Sequence, residues 1–193
     1  MVICIVAGVA LATTYSLTKN RIEEQLQSQQ LDALKVVLPR AVEFSKCNSG
    51  VDIDYYEGLN DEKGIVGYAF IGESKGYSSI IKVVVGIDQE GTITGIKITE
   101  QKETPGLGTQ SVEVPVTRTF WQAILGKGES GEPSRPWFED QFVGKVVKDL
   151  RVITGKTDTG IQALTGATIT SKAVTKAVRE SIEKFLKQNK LNK

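Results

Sequence analysis

Apolar and polar positions divide this chain into stretches of different character. Val2 to Leu17 (VICIVAGVALATTYSL) is largely apolar and carries no charge. As a helix it would rise about 24 Å, slightly short of the roughly 30 Å hydrocarbon core of a bilayer. Ala7, Gly8, Ala10 and Ala12 offer small faces against which neighbouring membrane helices could pack. A cleaved signal peptide is the competing reading. No basic segment precedes the run, however, and no small-x-small site leads into a mature loop. A retained transmembrane anchor is therefore expected over residues 1–18, and the abrupt apolar start suggests that a few preceding residues are missing. Thr18 to Leu38 then repeats Ile22, Leu26, Leu34, Val37 and Leu38 at roughly helical spacing, which predicts a connecting helix over 19–39 that Pro39 ends.

The next pattern is that of strands. Gly64 to Ile71 and Ser79 to Gly86 are β-branched runs, and Asp88 to Gly91 makes a turn into Thr92 to Thr99. The last run alternates cleanly, so one of its faces is expected to be wet. Short turns imply an antiparallel meander rather than parallel units joined by helices. Thr117 to Leu125 reads as a helix, followed by a Gly/Pro-rich loop to Arg135–Phe138, and Val143 to Ile153 suggests one or two further strands. The final helix is predicted over Thr170 to Lys187, with Ala173, Val174, Ala177, Val178, Ile182, Phe185 and Leu186 forming an apolar stripe. The fold class is α+β, with an antiparallel-sheet domain over 40–193.

Composition narrows the chemistry. At 193 residues the chain holds an anchor and one domain of ordinary size. With 24 basic and 23 acidic residues there is no basic field for DNA or RNA, and no clustered Lys/Arg patch is visible in the domain. Nucleic acid is not an expected partner. The absence of histidine removes Ser-His-Asp and Cys-His catalysis and histidine-ligated metals. Cys4 and Cys47 are the only thiols, too few for an iron–sulfur cluster, which normally takes four. No metal ligand set is therefore expected, and any redox role falls to an organic cofactor. No Gly-x-Gly-x-x-Gly loop sits between a strand and a helix, and no residue reads as a general base.

The densest candidate chemistry lies at the entrance to the last helix. Thr165-Gly166-Ala167-Thr168-Ile169-Thr170-Ser171 combines small residues with hydroxyls. Unpaired N–H groups and the positive dipole end of the helix suit a phosphate there. Local chemistry also allows a plain helix start capped by Thr170 or Ser171.

Thr165-Gly166-Ala167-Thr168 resembles the Ser/Thr-Gly-Ala-Thr signature of FMN-binding domains whose flavin is esterified, through its phosphate, to the last threonine. Glu103-Thr104-Pro105-Gly106-Leu107-Gly108 resembles the other signature of those domains, and Phe142-Val143-Gly144-Lys145 resembles the segment between the two. Order and spacing are similar to the G subunit of the Rnf complex, a membrane-bound ferredoxin:NAD oxidoreductase that drives ion transport. They are also similar to the C subunit of the sodium-pumping NADH:quinone reductase. The resemblance covers nearly the whole chain. Proteins modified by the flavin-attaching transferase usually carry Asp three positions before the tetrad. This chain has Gln162 there, with Asp158 further upstream.

The resemblance implies an FMN cofactor bound covalently at Thr168, with Thr165, Gly166 and Ala167 around it. It implies Glu103, Thr104, Leu107 and Gly108 against the isoalloxazine or ribityl chain, and it makes Lys145 a cationic contact. Trp137 and Phe138 are candidates to shield a flavin face, or simply core. The implied role is an electron relay without a self-sufficient catalytic site, inside a complex with other integral-membrane and peripheral subunits. A flavin transferase would act during maturation. Alternatives are the quinone-reductase C subunit and a membrane-anchored sensory module holding FMN non-covalently. Lys19 and Arg21 after the apolar run would favour a cytoplasmic domain by the positive-inside rule, whereas the resemblance implies an extracytoplasmic one. The expected topology is a single span, N-in and C-out.

Overall fold

The computed structural model describes residues 2–47, 54–104, 111–112, 136–155 and 160–191. Helix α1 (Val2–Val37) is followed by strands β1 (Glu43–Cys47), β2 (Tyr55–Leu59), β3 (Ile65–Lys75), β4 (Ile80–Ile87) and β5 (Ile93–Glu100). A short helix α2 (Trp137–Asp140), a 3-10 turn at Val147–Asp149, strands β6 (Val152–Ile153) and β7 (Ile161–Gln162) and helix α3 (Thr168–Leu191) complete the described elements. The expected helix over Thr117–Leu125 and its following loop fall outside the described residues, apart from Pro136, Trp137 and Phe138.

The five long strands form one antiparallel meander in the order β1-β2-β3-β4-β5, as the short turns predict. Alternation sends neighbouring side chains to opposite faces. Phe70, Val83 and Val85 join Val174, Ala177, Val178, Ile182 and Phe185 of α3 in the main core. Ala69 and Val84 face the other way and meet Leu34, Val37 and Leu38 from the end of α1. The sheet is therefore covered on both faces, α3 on one and the last turns of α1 on the other. This corrects the expected wet face of β5. Thr94 Oγ1 donates to the Val37 carbonyl at 2.6 Å, so that face carries the α1 terminus.

The expected anchor and connecting helix are one continuous helix of 36 residues. It ends where predicted, with Leu38 N–H donating to the Leu34 carbonyl at 2.9 Å ahead of Pro39. Its first half is exposed along its length, Leu11 at 74% and Leu17 at 79%. Among the described residues no helix is long and apolar enough to cross a membrane, which corrects the expectation of a self-sufficient span over 1–18. The physical reason is length: the uncharged run stops at Lys19, and the helix continues through polar residues.

Val143–Ile153 forms one of the one or two expected strands, and only at its end. Gly144 adopts φ +76°, and the chain turns through Val147–Asp149 before only two residues pair as β6, parallel to β7. β1 and β2 were not legible, because their polar residues show no alternation. The structure also corrects the reading that the domain lacks a basic cluster: Arg151 beside β6 is brought against Lys172, Lys176 and Arg179 of α3.

Candidate functional site

The site is built on a turn that only the backbone of Gly166 completes easily. The Ala167 N–H donates to the Leu164 carbonyl at 3.0 Å, with Gly166 at φ +77° in the third position of the turn. Ser171 pins this turn from inside: its Oγ accepts from the Leu164 N–H at 3.0 Å and donates to the Ala167 carbonyl at 2.9 Å. The Ser171 N–H is already inside the helix, donating to the Ala167 carbonyl at 3.0 Å.

That register makes Ala167 the capping residue. Alanine has no side-chain oxygen, so neither Thr170 nor Ser171 acts as the side-chain cap that local chemistry allowed. The N–H groups of Thr168, Ile169 and Thr170 have no acceptor within the helix, as at every helix start. They form the positive end of a helix 24 residues long. Thr168 is the first residue of this helix and is half-buried.

Opposite the turn lies Glu103, 5% exposed. One carboxylate oxygen accepts from Thr170 Oγ1 at 2.7 Å and from the Tyr77 N–H at 3.1 Å. The other accepts from the Ser78 and Ser79 N–H groups and from Ser79 Oγ, each at 3.1 Å. Burial pushes the Glu103 carboxyl up. The hydrogen bonds from Thr170 and from the backbone of Ser78, Tyr77 and Ser79 outweigh it and hold the group below the usual carboxylate range. Gly76 makes this convergence possible, because a Cβ there would lie 2.6 Å from the carboxylate.

Between these two parts is a cavity of about 520 Å³, lined by Tyr77, Glu103, Thr104, Gly166, Ala167, Thr168, Ile169 and Thr170. Its size falls in the roughly 300–1,000 Å³ range of small-molecule sites. The donors facing it suit an anionic group; Glu103 stays anionic, but both its oxygens are taken up by five hydrogen bonds from the protein. The residues present therefore fit a phosphate-bearing cofactor seated on the helix start.

The sequence-predicted residues divide clearly. Gly166, Ala167, Thr168, Glu103 and Thr104 come together around the cavity, and Thr165 is exposed on the adjoining turn. Glu103, expected against the flavin ring system, spends its carboxylate on the protein itself and so ties the 76–79 loop to α3. Leu107 and Gly108 fall outside the described residues. Lys145 is not brought to the cavity. Its carbonyl accepts from the N–H of Ile93 at 3.0 Å, at the start of β5, whereas Glu103 follows the end of that strand roughly 20 Å away. Phe138 is core, edge-on to Phe142 at 5.6 Å between centroids, and Trp137 is about half exposed. Neither lines the cavity. Gln162 is half-buried in β7, its backbone held by Gln141, whose Oε1 accepts from the Gln162 N–H at 2.7 Å. Asp158 lies outside the described residues. Tyr77 was missed by sequence reading; it reaches the cavity because Glu103 fixes its backbone.

Comparison with known proteins gives the family. The FMN-binding domain family matches residues 76–183, which contain every residue lining the cavity. A second family, described as the RnfG N-terminal region, matches residues 1–37, the whole of α1. The G subunit of the proton-translocating ferredoxin:NAD(+) oxidoreductase complex of Clostridium ljungdahlii is 33% identical over 93% of this chain and 84% of its own length. The Na(+)-translocating counterpart of Acetobacterium woodii is 35% identical over 95% and 87%. The G subunit of the ion-translocating oxidoreductase complex of Methanosarcina acetivorans is 32% identical over 95% and 89%. In three dimensions the chain is similar to Shewanella oneidensis NqrC, with a TM-score of 0.51 and 19% identity over 75% of this chain and 66% of that one, a likeness of fold.

Proposed function

The chain belongs to the G-subunit family of ion-translocating ferredoxin:NAD(+) oxidoreductase complexes and carries that family's FMN-binding domain; on that premise we propose that it is a membrane-anchored electron-transfer subunit holding FMN as a phosphoester on Thr168. The observation that carries this reading is the position of Thr168. It is the first residue of α3, it lines the cavity, and it belongs to the first helical turn, whose N–H groups have no acceptor within the helix.

When bound, FMN supplies reversible one- and two-electron transfer; the protein's part is to hold it, tune it and exclude competing chemistry. The Thr168 hydroxyl is the attachment point, and the N–H groups of Thr168, Ile169 and Thr170 stabilise the phosphate's charge. Gly166 keeps side-chain bulk away from the phosphate, and Ser171 holds the turn in register. Glu103 fixes the facing loop through Tyr77, Ser78 and Ser79, so both walls of the cavity are set before a ligand enters. Activity belongs to the assembled complex, in which this chain passes electrons between its partners.

The exposed apolar half of α1, with Ile3, Val6, Val9, Leu11 and Leu17, supports membrane attachment. Because that run is short for a lone span, we place it beside membrane subunits of the complex, with its small residues as the packing face. The flavin domain is assigned to the extracytoplasmic side, where a covalent tether keeps the cofactor from being lost.

In-gel flavin fluorescence after denaturation tests the attachment, in a host that supplies a flavin transferase. The wild-type chain is expected to give a fluorescent band that Thr168→Ala abolishes and Thr168→Ser retains. A dark wild-type band, or fluorescence that survives Thr168→Ala, overturns the assignment.

A further inference from the structure

A second cavity, of about 410 Å³, lies along the same helix and is lined by Arg151, Val152, Lys172, Thr175, Lys176 and Arg179. Among the described residues, four of its six lining residues are cations and none is an acid. Lys172, Lys176 and Arg179 fall at i, i+4 and i+7, a single stripe on the face of α3 turned away from the core. Arg151 reaches the stripe because the parallel pairing of β6 with β7 sets it beside the helix, where its carbonyl accepts from the Ile161 N–H at 2.8 Å. Thr168 lies four residues before Lys172, on the same stripe. The cations thus begin about 6 Å along the axis from the proposed attachment point and end about 17 Å from it.

Among the described residues, the one acid paired with the stripe is Glu180, 3.7 Å from Lys176, and this pair is exposed on both sides. Such a pair contributes little and yields readily to another anion. The neutral hydroxyl in the cavity is already used, since Thr175 Oγ1 donates to the Ser171 carbonyl at 2.8 Å. No rigid donor set is therefore built for a small phosphate. The cations are spread along about 10 Å of helix on flexible stems, which suits an extended acidic surface. A lipid surface fits less well: α1, the membrane-seeking element, covers the opposite face of the sheet from α3.

We propose that the Arg151–Lys172–Lys176–Arg179 stripe is the docking surface for an acidic protein partner that exchanges electrons with the cofactor at Thr168. The proposal rests on the flavin reading above and adds the partner's chemistry and its place. Docking along the stripe sets the partner's redox centre beside the start of α3, and charge complementarity speeds the encounter.

The test uses the full chain carrying Lys172→Glu, Lys176→Glu and Arg179→Glu together, expressed with the rest of the complex in membranes. Three readouts are taken: the in-gel flavin band, ferredoxin-dependent NAD reduction over a range of salt, and retention of the chain by the other subunits on co-purification. The expected result is an intact flavin band with the low-salt rate lowered by about tenfold or more. Salt should slow the wild type and leave the variant nearly unaffected. Charge-restoring Lys172→Arg and Lys176→Arg changes should behave as wild type. An unchanged rate and salt response with the band intact overturns the proposal. So does a variant that loses only its binding to anionic phospholipid vesicles, or a wild type inhibited by low concentrations of inorganic phosphate alone. If the wild type carries no flavin, the flavin reading fails by itself. Salt-sensitive retention that the triple variant loses then still supports the dock, and retention it keeps overturns it.

Discussion

Thr170 Oγ1 donates to Glu103 at 2.7 Å across 67 positions of sequence, and this contact joins the two walls of the cavity at the start of α3. Glu103 carries the loop of Tyr77–Ser79 on one side, and Thr170 carries the first turn of α3 on the other. The carboxylate is therefore a strut of the site rather than a free group within it. Glu103→Gln keeps the shape but faces an amide N–H₂ toward donors that need an acceptor. It is expected to destabilise the fold by about 1–3 kcal/mol. Thermal unfolding of the full chain in detergent measures this, and the flavin band should weaken in parallel because the facing wall loosens. Unaltered melting and full flavin loading would show that the strut is dispensable.

Acid should reveal the same group. The carboxyl of Glu103 is held below its ordinary value of 4.5 in the folded chain. On acidification the unfolded chain thus takes up the proton first. The stabilisation is fully present above the ordinary value and is lost as pH falls through the lower, folded one. The stability gap between wild type and Glu103→Gln should therefore be flat from neutral pH down to about 5 and shrink below 4.5. A gap that stays constant under acid would mean that the charge of Glu103 contributes nothing.

Gly166 allows a comparison between backbone strain and site geometry. Gly166→Ala places a Cβ on a residue at φ +77°, which costs about 1–2 kcal/mol. Gly91, at φ +86° in the β4–β5 turn, carries the same strain with open space around it and does not line the cavity. Both variants should melt lower by similar amounts, but only Gly166→Ala should lose flavin incorporation. Equal loss in both would mean that loading follows global stability instead of the turn.

The parts of this fold that were legible in the sequence are those with one dominant period. Ala173 to Leu186 repeats at helical spacing and β3 to β5 are rich in β-branched residues, so α3 and the central strands could be read directly. β1 and β2 could not, because their residues pair at a sheet edge without an apolar alternation. The Thr165–Thr168 tetrad was visible because its residue types carry the chemistry themselves. The partners of Glu103 were not, since three of them are backbone N–H groups, which any residue supplies. Lys145 is the converse case. Its motif follows in order along the chain, yet Gly144 and Lys145 pair with Ile93 at the far end of β5. The basic stripe was invisible for a related reason: Arg151 joins Lys172 only through the two-residue pairing of β6 with β7, which no periodicity announces.

Sidedness is the prediction on which two physical arguments oppose each other. Lys19 and Arg21 follow the apolar run, and counted alone they would hold the domain in the cytoplasm. Two basic residues are a weak signal. They sit within a helix that continues to Val37, so they can also mark the boundary by reaching toward headgroups on the outer side. Glu23 and Glu24 follow at once, so the segment after the run is not uniformly basic. A covalent cofactor favours the outer location, where a dissociated flavin could not be recaptured. The expected topology is N-in and C-out, with the sheet domain outside. Protease added to intact cells or spheroplasts should digest the flavin-bearing domain while cytoplasmic markers survive. Full protection of that domain until the membrane is lysed would place it in the cytoplasm and restore the reading from Lys19 and Arg21.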